Sequence, residues 1–326
     1  MSAVKRLLSG ALREFAWTTG FSSSFVRRGS DRWVMMLHGV GEGGPSVPAF
    51  RASLNWLRAT FTVVSLGEMV DAVEQGRPAS PGGEVAVTFD DGLRNQREQA
   101  YPILRELKVP ATIFVCPGLI ERQAWMWNHD ARARLARLAP SELPAFAHRA
   151  GTTQAKPHDI VEAMKHLPAA MRRALHEDIQ AATPGFMPSA AEREANDLMS
   201  WDELRSLDPE WITIGSHTMS HPILPQLDDE ELEFEISQSR QLLEVRLERP
   251  VELFCYPNGA SDPRAHHAVA SHYRAAVTTQ ESRVVVGVDR HAIPRMAMDV
   301  PTPQVAWRMM RCPRSNATNS RQPPPQ

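Results

Sequence analysis

The stretch from Val85 to Gly92 sets the strongest limit on how this chain can fold. Its first five residues, Val-Ala-Val-Thr-Phe, are mostly β-branched or aromatic, which predicts a buried strand. The strand ends in Asp90 and Asp91, and Gly92 follows them. Two adjacent carboxylates repel each other unless a cation lies beside them. A metal ion bound by one carboxylate, with the other free to act as a base, fits this pair.

A second polar cluster follows another predicted strand. Residues 211–215, Trp-Ile-Thr-Ile-Gly, form the apolar run, and residues 216–222 come directly after it. If this segment forms one helical turn, His217 and His221 lie on the same face, about 5–6 Å apart at Cβ, so both rings reach one ion. With one carboxylate they make three protein ligands and leave positions open for water and substrate.

These two clusters and a third motif resemble a known family. Thr-Phe-Asp-Asp-Gly at 88–92, Ser-His-Thr-Met-Ser-His-Pro at 216–222 and Phe-Cys-Tyr-Pro-Asn-Gly at 254–259 occur in that order. They are similar to the motifs of the polysaccharide deacetylase family, the NodB-homology domain of carbohydrate esterase family 4. The resemblance covers roughly residues 32–298. It implies a distorted (β/α) barrel and a hydrolase that removes acetyl groups from carbohydrate.

Composition narrows the class of protein. With 326 residues and 42% hydrophobic residues, the chain has ample material for a core. A formal net charge of −2 gives no electrostatic reason to expect a nucleic-acid partner. The three cysteines are too few and too scattered for a disulfide framework, which favours a reducing compartment. No apolar run approaches the roughly 18–20 residues that span a bilayer.

Residues 1–30 are predicted to form an N-terminal helical segment. Its first 20 residues mix Lys5, Arg6 and Arg13 with leucines and aromatic residues, but lack the continuous apolar core and cleavage site of a secretory signal. Two interpretations stay open: a helix packed on the domain or frayed at the terminus, and a basic amphipathic helix resting on a membrane surface. The expected location is the cytoplasm, with this segment at most on the inner face of the membrane.

Strands and helices alternate along residues 31–300, which form the predicted main domain. Strands are predicted at 33–38, 61–64, 85–89, 111–115, 211–215, 251–255, 275–279 and 283–288. The alternation favours a parallel sheet with crossover helices, and about seven strands fit a distorted (β/α) barrel. Residues 120–199 are predicted as a helical insertion, which either shapes one side of the substrate groove or is a solvated spacer. Residues 301–326 are predicted to be a disordered tail.

The candidate site residues follow the ends of predicted strands, where barrel enzymes place their active sites. Asp91, His217 and His221 are the predicted metal ligands. Asp90 is the predicted general base, because a carboxylate beside a cation stays ionised and can take a proton from water. The alternatives are an Asp-Asp-Gly turn capping a helix and two polar loop histidines. This donor set suits Zn²⁺, and also Co²⁺ or Ni²⁺.

Three further candidates depend on the resemblance. It implies that His38, at the end of the first strand, protonates the leaving amine; a structural histidine is the alternative. The third motif lacks the arginine that orients the base in many members, and Asn258 replaces a tyrosine, although its backbone N–H can still serve an oxyanion. Members with this Tyr-Pro form tend to carry a late Pro-Arg pair, so Arg295 is predicted to hold Asp90. The alternative is a surface arginine.

The sequence therefore predicts a metal-dependent carbohydrate de-N-acetylase acting on N-acetylhexosamine units of a polysaccharide or glycan precursor. One alternative is hydrolysis of another C–N amide bond, in a formamide or a small nitrogen compound. The other is a non-catalytic carbohydrate-binding protein on the same scaffold, against which the intact ligand set argues. A cytoplasmic location would favour a nucleotide- or lipid-linked precursor over mature wall polymer.

Overall fold

The computed structural model describes residues 3–312 of the 326-residue chain, with side chains from residue 10 onward. Its centre is an eight-stranded sheet. The strands are β1 Arg32–Leu37, β2 Thr62–Val63, β3 Glu84–Phe89, β4 Ala111–Val115, β5 Ile212–Ser216, β6 Leu253–Cys255, β7 Ala275–Val277 and β8 Met296–Ala297. Seven follow the order β7-β6-β5-β4-β3-β1-β8 with parallel pairings, and β2 pairs with β3 outside this path. The predicted distorted (β/α) barrel is confirmed.

The long central strands β1 and β3 set the position of the site. All six residues of each strand are buried, and they pair in parallel from Arg32↔Glu84 to Leu37↔Phe89. The first of these pairs is a buried ion pair with an Nε–Oε2 distance of 2.7 Å. Because the register is unbroken, the residues that follow the two strands, His38 and Asp90, emerge at the same rim.

An irregular segment closes the gap between the two ends of the sheet. Ile293 makes a parallel bridge to Val277 of β7, and three residues later β8 pairs with β1. The prediction of a strand at 283–288 is wrong, since only Val284 makes a bridge there, antiparallel to Arg32. The valine run turns because Gly287 has a left-handed φ of 80°.

Helices cover the outside of this sheet. They are α3 Val47–Thr60, α4 Leu66–Glu74, α5 Tyr101–Glu106, α6 Pro117–Arg122, α12 Trp201–Arg205, α13 Asp229–Leu247 and α14 Pro263–His272. A capping box begins α4: Glu68 N–H donates to Ser65 Oγ (3.1 Å), and Ser65 N–H donates to Glu68 Oε2 (2.7 Å). A π-helical turn at Gln96–Ala100 leads directly into α5.

Five helices form the insertion between α6 and α12. They are α7 Trp127–Leu135, α8 Leu143–Ala150, α9 Pro157–Met164, α10 Ala169–Ala181 and α11 Ala190–Asn196. Their inward residues make an apolar cluster separate from the barrel core, which includes Leu135, Ile160, Met164 and Ile179. The insertion therefore has a small core of its own, which holds α7 to α10 together.

The two ends of the described chain pack against each other. Helices α1 Ala3–Thr18 and α2 Phe21–Arg27 contact α15 Thr302–Arg311, where Val305, Ala306 and Met309 are buried. The prediction of a disordered tail is wrong for residues 302–311, because this apolar face is covered by packing; residues 313–326 lie outside the described part. Among the described helices, none has the length and hydropathy needed to cross a bilayer.

Candidate active site

A buried cluster of one carboxylate and two imidazoles lies at the carboxyl ends of β3 and β5. Asp91 Oδ1 is 3.6 Å from His217 Nε2 and 3.7 Å from His221 Nε2. All three residues are buried, and the two imidazole ring centroids are 4.8 Å apart. Among the described residues, Asp91 Oδ1 has no hydrogen-bond donor. A buried anionic oxygen without a donor is costly, so this cluster is suited to a cation.

The loop after β5 brings the histidines together by a route that differs from the helical turn expected for 216–222, and that interpretation is wrong. His217 follows β5 directly and continues its hydrogen bonding to β4, since its N–H donates to Val115 O at 2.9 Å. Thr218 and His221 then take left-handed φ values of 69° and 59°. Thr218 Oγ1 accepts from His221 N–H at 3.0 Å and holds this tight bend. The four-residue spacing therefore works through strained loop geometry.

Protonation states in the cluster favour metal ligation. His217 Nδ1 lies 2.7 Å from Cys255 O, and because a carbonyl only accepts, Nδ1 carries the proton and Nε2 faces Asp91. Burial, followed by the charge of His217, lowers the pKa of His221 to about 3, so this ring is neutral near pH 7. Burial alone would raise the pKa of Asp91, but the neighbouring histidines lower it. Neutral imidazoles and an ionised carboxylate are the forms that bind metal.

The distances between the ligand atoms of this cluster fit a divalent ion. Ligands about 2.1 Å from a tetrahedral ion are about 3.4 Å apart, close to the distances found here. A second possible group, Asp90, His217 and Cys255, also lies within 4.8 Å. It fits less well because burial raises the pKa of the Cys255 thiol far above its usual value and both Asp90 oxygens are already paired. The best-fitting donor set is therefore Asp91, His217 and His221.

Asp90 and Arg295 form a bidentate buried pair beside this cluster. The guanidinium Nη1 and Nη2 donate to the two Asp90 oxygens, each at 2.7 Å, and Nε donates to Thr278 O at 2.8 Å. Arg295 has no exposed surface, so it is not a surface arginine. Burial alone would raise the pKa of Asp90, but the charge and hydrogen bonds of Arg295 hold that pKa well below its usual range. Asp90 is therefore ionised at neutral pH.

His38 lies on the open side of the site. Its side chain is 48% exposed, and Nδ1 is 3.2 Å from Oδ2 of Asp299, two residues beyond β8. Partial loss of water around the ring lowers the pKa of His38, but the hydrogen bond to Asp299 and the charges of Asp91 and Asp90 together raise it to about 9. A histidine protonated at neutral pH and reachable from solvent is suited to donate a proton.

The third motif forms a tight turn after β6. Pro257–Gly259 is a short 3₁₀ turn in which Asn258 has φ 55° and is exposed. A Cβ on Gly259 would lie 2.0 Å from Thr279 Oγ1, so the turn is packed closely on the residues after β7 and requires glycine. Asn258 therefore lies at the same rim as the other candidates, after the end of its strand. Its backbone role is still a prediction.

Two positioning contacts were missed by the sequence analysis. Gln96 Nε2 donates to His38 O and to Asp90 O, both at 2.5 Å, and so holds the ends of β1 and β3 together. Glu235 accepts from Ser220 N–H at 2.9 Å and from Ser220 Oγ at 2.5 Å, which anchors the histidine loop. No sequence signal separates Gln96 from its polar neighbours. Glu235 stands three residues after Leu232 on the apolar side of α13, and a charged residue at such a position is a usable signal.

Comparison with known proteins gives a consistent result. Residues 77–276 match the family described as "Polysaccharide deacetylase". The fold is similar to the Streptococcus pyogenes deacetylase PplD in complex with acetate, at TM-score 0.58 and 16% identity over 86% of this chain and 98% of that one. IcaB from Ammonifex degensii gives 0.56 and 19% over 87% and 98%, and a polysaccharide deacetylase from Bacillus cereus gives 0.55 and 17% over 86% and 69%. The comparison with curated proteins finds no match.

Proposed function

The chain belongs to the polysaccharide deacetylase family, and on this premise we propose that it is a metal-dependent hydrolase removing N-acetyl groups from N-acetylhexosamine units of a glycan. One observation carries the proposal. An ionised carboxylate held by an arginine stands next in sequence to a second carboxylate, which faces two imidazoles and lacks a donor among residues 10–312. Such a pair provides a base beside a cation site, which amide hydrolysis by water requires.

Asp91, His217 and His221 would hold the ion. A divalent cation bound there supplies an acidified water and polarises the acetyl carbonyl. The residues suit Zn²⁺, and Co²⁺ or Ni²⁺ would also be accepted by two imidazoles and a carboxylate. Glu235 supports this group from behind, because its carboxylate fixes Ser220 in the loop between the two histidines.

Asp90 is the proposed general base and takes a proton from the attacking water. Its bidentate partner Arg295 keeps it ionised and fixes the direction of both oxygens. The same pairing makes Asp90 a weaker base, so its contribution depends on position as well as on proton affinity. Arg295 is thus proposed as a positioning residue.

His38 is the proposed general acid, and it transfers a proton to the sugar nitrogen as the C–N bond breaks. Its pairing with Asp299 keeps the ring protonated at neutral pH. The backbone N–H of Asn258 is the proposed donor to the oxygen that gains negative charge during the attack. The products are acetate and a free amine on the sugar.

The direct test is release of acetate by the metal-loaded chain from a panel of N-acetylated oligosaccharides. Mass loss of one acetyl group per event, with a free amine detected on the sugar, is the expected result. Formamide and small ureides in the same panel test the alternative amide substrates. Binding of the oligosaccharides without any acetate release, by a chain shown to contain metal, would support the non-catalytic alternative instead.

For location, we propose the cytoplasm, with the N-terminal helices resting on the inner face of the membrane. Four large apolar side chains are exposed on α1 and α2, from 42% for Phe25 to 66% for Phe15, and exposed Arg27 and Arg28 accompany them. Apolar side chains beside basic ones suit an anionic lipid surface. Co-sedimentation with anionic vesicles should fall when Phe15, Phe21 and Phe25 are changed to serine. Equal sedimentation of variant and parent would remove this part of the proposal.

A further inference from the structure

A cavity of about 1100 Å³ lies between the helical insertion and α13. We call it the insertion cavity. Ser220 and Pro222, which flank the candidate ligand His221, form part of its wall. Four aromatic side chains also line it: Trp125, Trp127, Phe186 and Phe234. The cavity is thus adjacent to the candidate metal site and is large enough for a ligand of several rings.

Arg172, from α10, is the buried cation of this cavity. Its exposure is only 5%, its guanidinium lies 5.3 Å from the ring centroid of Trp127, and Nη1 donates to the neutral side chain of Gln226. Within residues 10–312 it makes no ion pair with any carboxylate. Burial and the adjacent charge of Arg173 lower the pKa of Arg172 to about 10. A buried cation without an anion is costly, so the cavity is incomplete without a negative group.

The carboxylates of the cavity wall do not fill this role, because most already have partners. The ion pairs are Asp130–Arg134 (2.8 Å), Asp197–Arg94 (2.9 Å) and Glu231–Arg173 (3.0 Å). Glu235 accepts from Ser220. The remaining charges, Arg122, Arg193, Asp228 and Glu230, are exposed. They are two of each sign. The buried charges of the wall that make no ion pair among the described residues are Arg172 and Glu235, and Glu235 is turned to Ser220, so Arg172 is left without an anionic partner.

A second, independent feature points to a ligand. Trp127 lines the cavity, yet its indole Nε1 is buried and has no hydrogen-bond acceptor among the described residues. Arg172 and Trp127 are in contact, so an unpaired cation and an unused N–H donor occur side by side. Both are satisfied by the same kind of group, an oxyanion with several acceptor oxygens.

We propose that the insertion cavity binds the phosphate-bearing part of the glycan substrate, with Arg172 paired to the phosphate and sugar or carrier groups against the aromatic wall. This inference rests on the proposed deacetylase function and names its substrate class, a glycosyl phosphate or diphosphate. A guanidinium matches phosphate with two parallel hydrogen bonds, and pairing is stronger where water is excluded. Nucleotide-linked and lipid-linked glycans carry this same chemistry, and the test separates them.

The test measures binding to the full-length chain by calorimetry, independently of acetate release. The probes are UDP-N-acetylglucosamine, N-acetylglucosamine linked through diphosphate to a farnesyl chain, neutral chitobiose, and a disaccharide of glucuronic acid and N-acetylglucosamine. Arg172→Gln should weaken the phosphate-bearing probes by about tenfold or more and leave chitobiose unchanged. Arg149→Gln is the matched control, since Arg149 lies on the same insertion in an exposed pair with Asp178 and should change nothing.

Because Arg172 packs on Trp127, two further variants separate binding from folding. Arg172→Lys keeps the charge but loses the fork, and Trp127→Phe keeps the aromatic face but loses Nε1; each should give a smaller loss for phosphate probes than Arg172→Gln. Circular dichroism checks that each variant is folded. If Arg172→Gln does not fold, a rise in melting temperature of the parent and of Arg172→Lys with UDP-N-acetylglucosamine, larger for the parent, is the deciding result.

Each outcome has a clear meaning. A preference for UDP-N-acetylglucosamine or for the farnesyl probe identifies the nucleotide- or lipid-linked source. Tighter, Arg172-dependent binding of the glucuronate probe would overturn the phosphate assignment in favour of a carboxylate. Equal affinity for chitobiose and the phosphate probes, or no effect of Arg172→Gln, would overturn the inference while leaving deacetylation of neutral glycans intact. Phosphate-dependent binding without any acetate release would instead count against the proposed function.

Discussion

Asp90 and Asp91 are adjacent in sequence and equally buried, yet their surroundings are opposite. Both oxygens of Asp90 are held by one guanidinium at 2.7 Å, whereas Oδ1 of Asp91 faces two imidazole nitrogens and has no donor in the described part of the chain. The difference begins in the backbone, because Asp91 has a left-handed φ of 76° and its side chain therefore leaves the strand in a new direction. One carboxylate is fixed as an anion, and the other is left open for a cation.

The largest expected effect comes from removing one of the two imidazoles that face Asp91. His217→Ala or His221→Ala should lose the metal and with it nearly all acetate release, because one of three protein ligands is removed. Metal content by mass spectrometry of the intact protein is the measurement. His267→Ala, at an exposed position on α14, is the control and should keep both. Full occupancy in both ligand variants would refute the metal assignment.

A change at Asp90, the carboxylate held by Arg295, should separate the effect on catalysis from the effect on metal binding. Asp90→Asn should keep the metal and lower acetate release by roughly 10²–10⁴-fold, the usual range for general base catalysis. Turnover and metal content are measured on the same preparation. Turnover near that of the parent would exclude Asp90 as the base and leave it a structural partner of Arg295.

A smaller effect is expected when the partner of Asp90 is changed. Arg295→Lys should lower activity and spare the metal, because a lysine offers a point charge without the fork. Arg295→Ala should cost more, and the acid limb of the pH–activity profile should move to higher pH, since Asp90 loses the group that depresses its pKa.

Breaking this buried pair also removes about 3–5 kcal/mol of stability, so folding of both variants must be verified. The stability that Arg295 gives to ionised Asp90 is present above the unfolded-state pKa of the carboxyl, about 3.9, and is lost as pH falls below it. An acid limb identical to that of the parent in a folded, metal-loaded Arg295→Ala variant would contradict the assigned role.

The smallest effect concerns the proton donor. His38 has its pKa raised to about 9, so its charged form persists until pH rises through that value. Asp299→Asn removes the negative charge that pairs with the His38 ring, and the basic limb of the profile should move to lower pH while activity near pH 6 changes little. Asp289→Asn, which breaks the exposed His266–Asp289 pair at 2.6 Å, is the control. An unmoved basic limb would argue against His38 as the acid.

Local sequence signals were sufficient for the strands that bear the site. The apolar runs at 85–89 and 111–115 correctly predicted β3 and β4. Every residue of these runs is buried in the sheet, so the apolar character continues along the whole run and is visible in the sequence. Local signals failed for the valine run at 283–288, which turns at Gly287, and for 302–311, whose apolar face is covered by α1, α2, α3 and β8. At 302–311 the decisive neighbours are distant in sequence, so a window of ten residues contains no trace of them, whereas at 283–288 the residue that turns the chain lies inside the run.

By itself the sequence determined the family, the barrel class and the residue types at the strand ends, because hydrophobic periodicity and the three motifs are local properties. The tertiary structure alone decided that His217 and His221 meet through left-handed loop residues, that Gln96 ties His38 to Asp90, and that the insertion encloses a buried Arg172. These features depend on contacts between segments that are distant in sequence, such as Gln96 with His38 and Arg172 with Trp127, or on strained backbone. The cost of such contacts is repaid only by the packing of the whole fold.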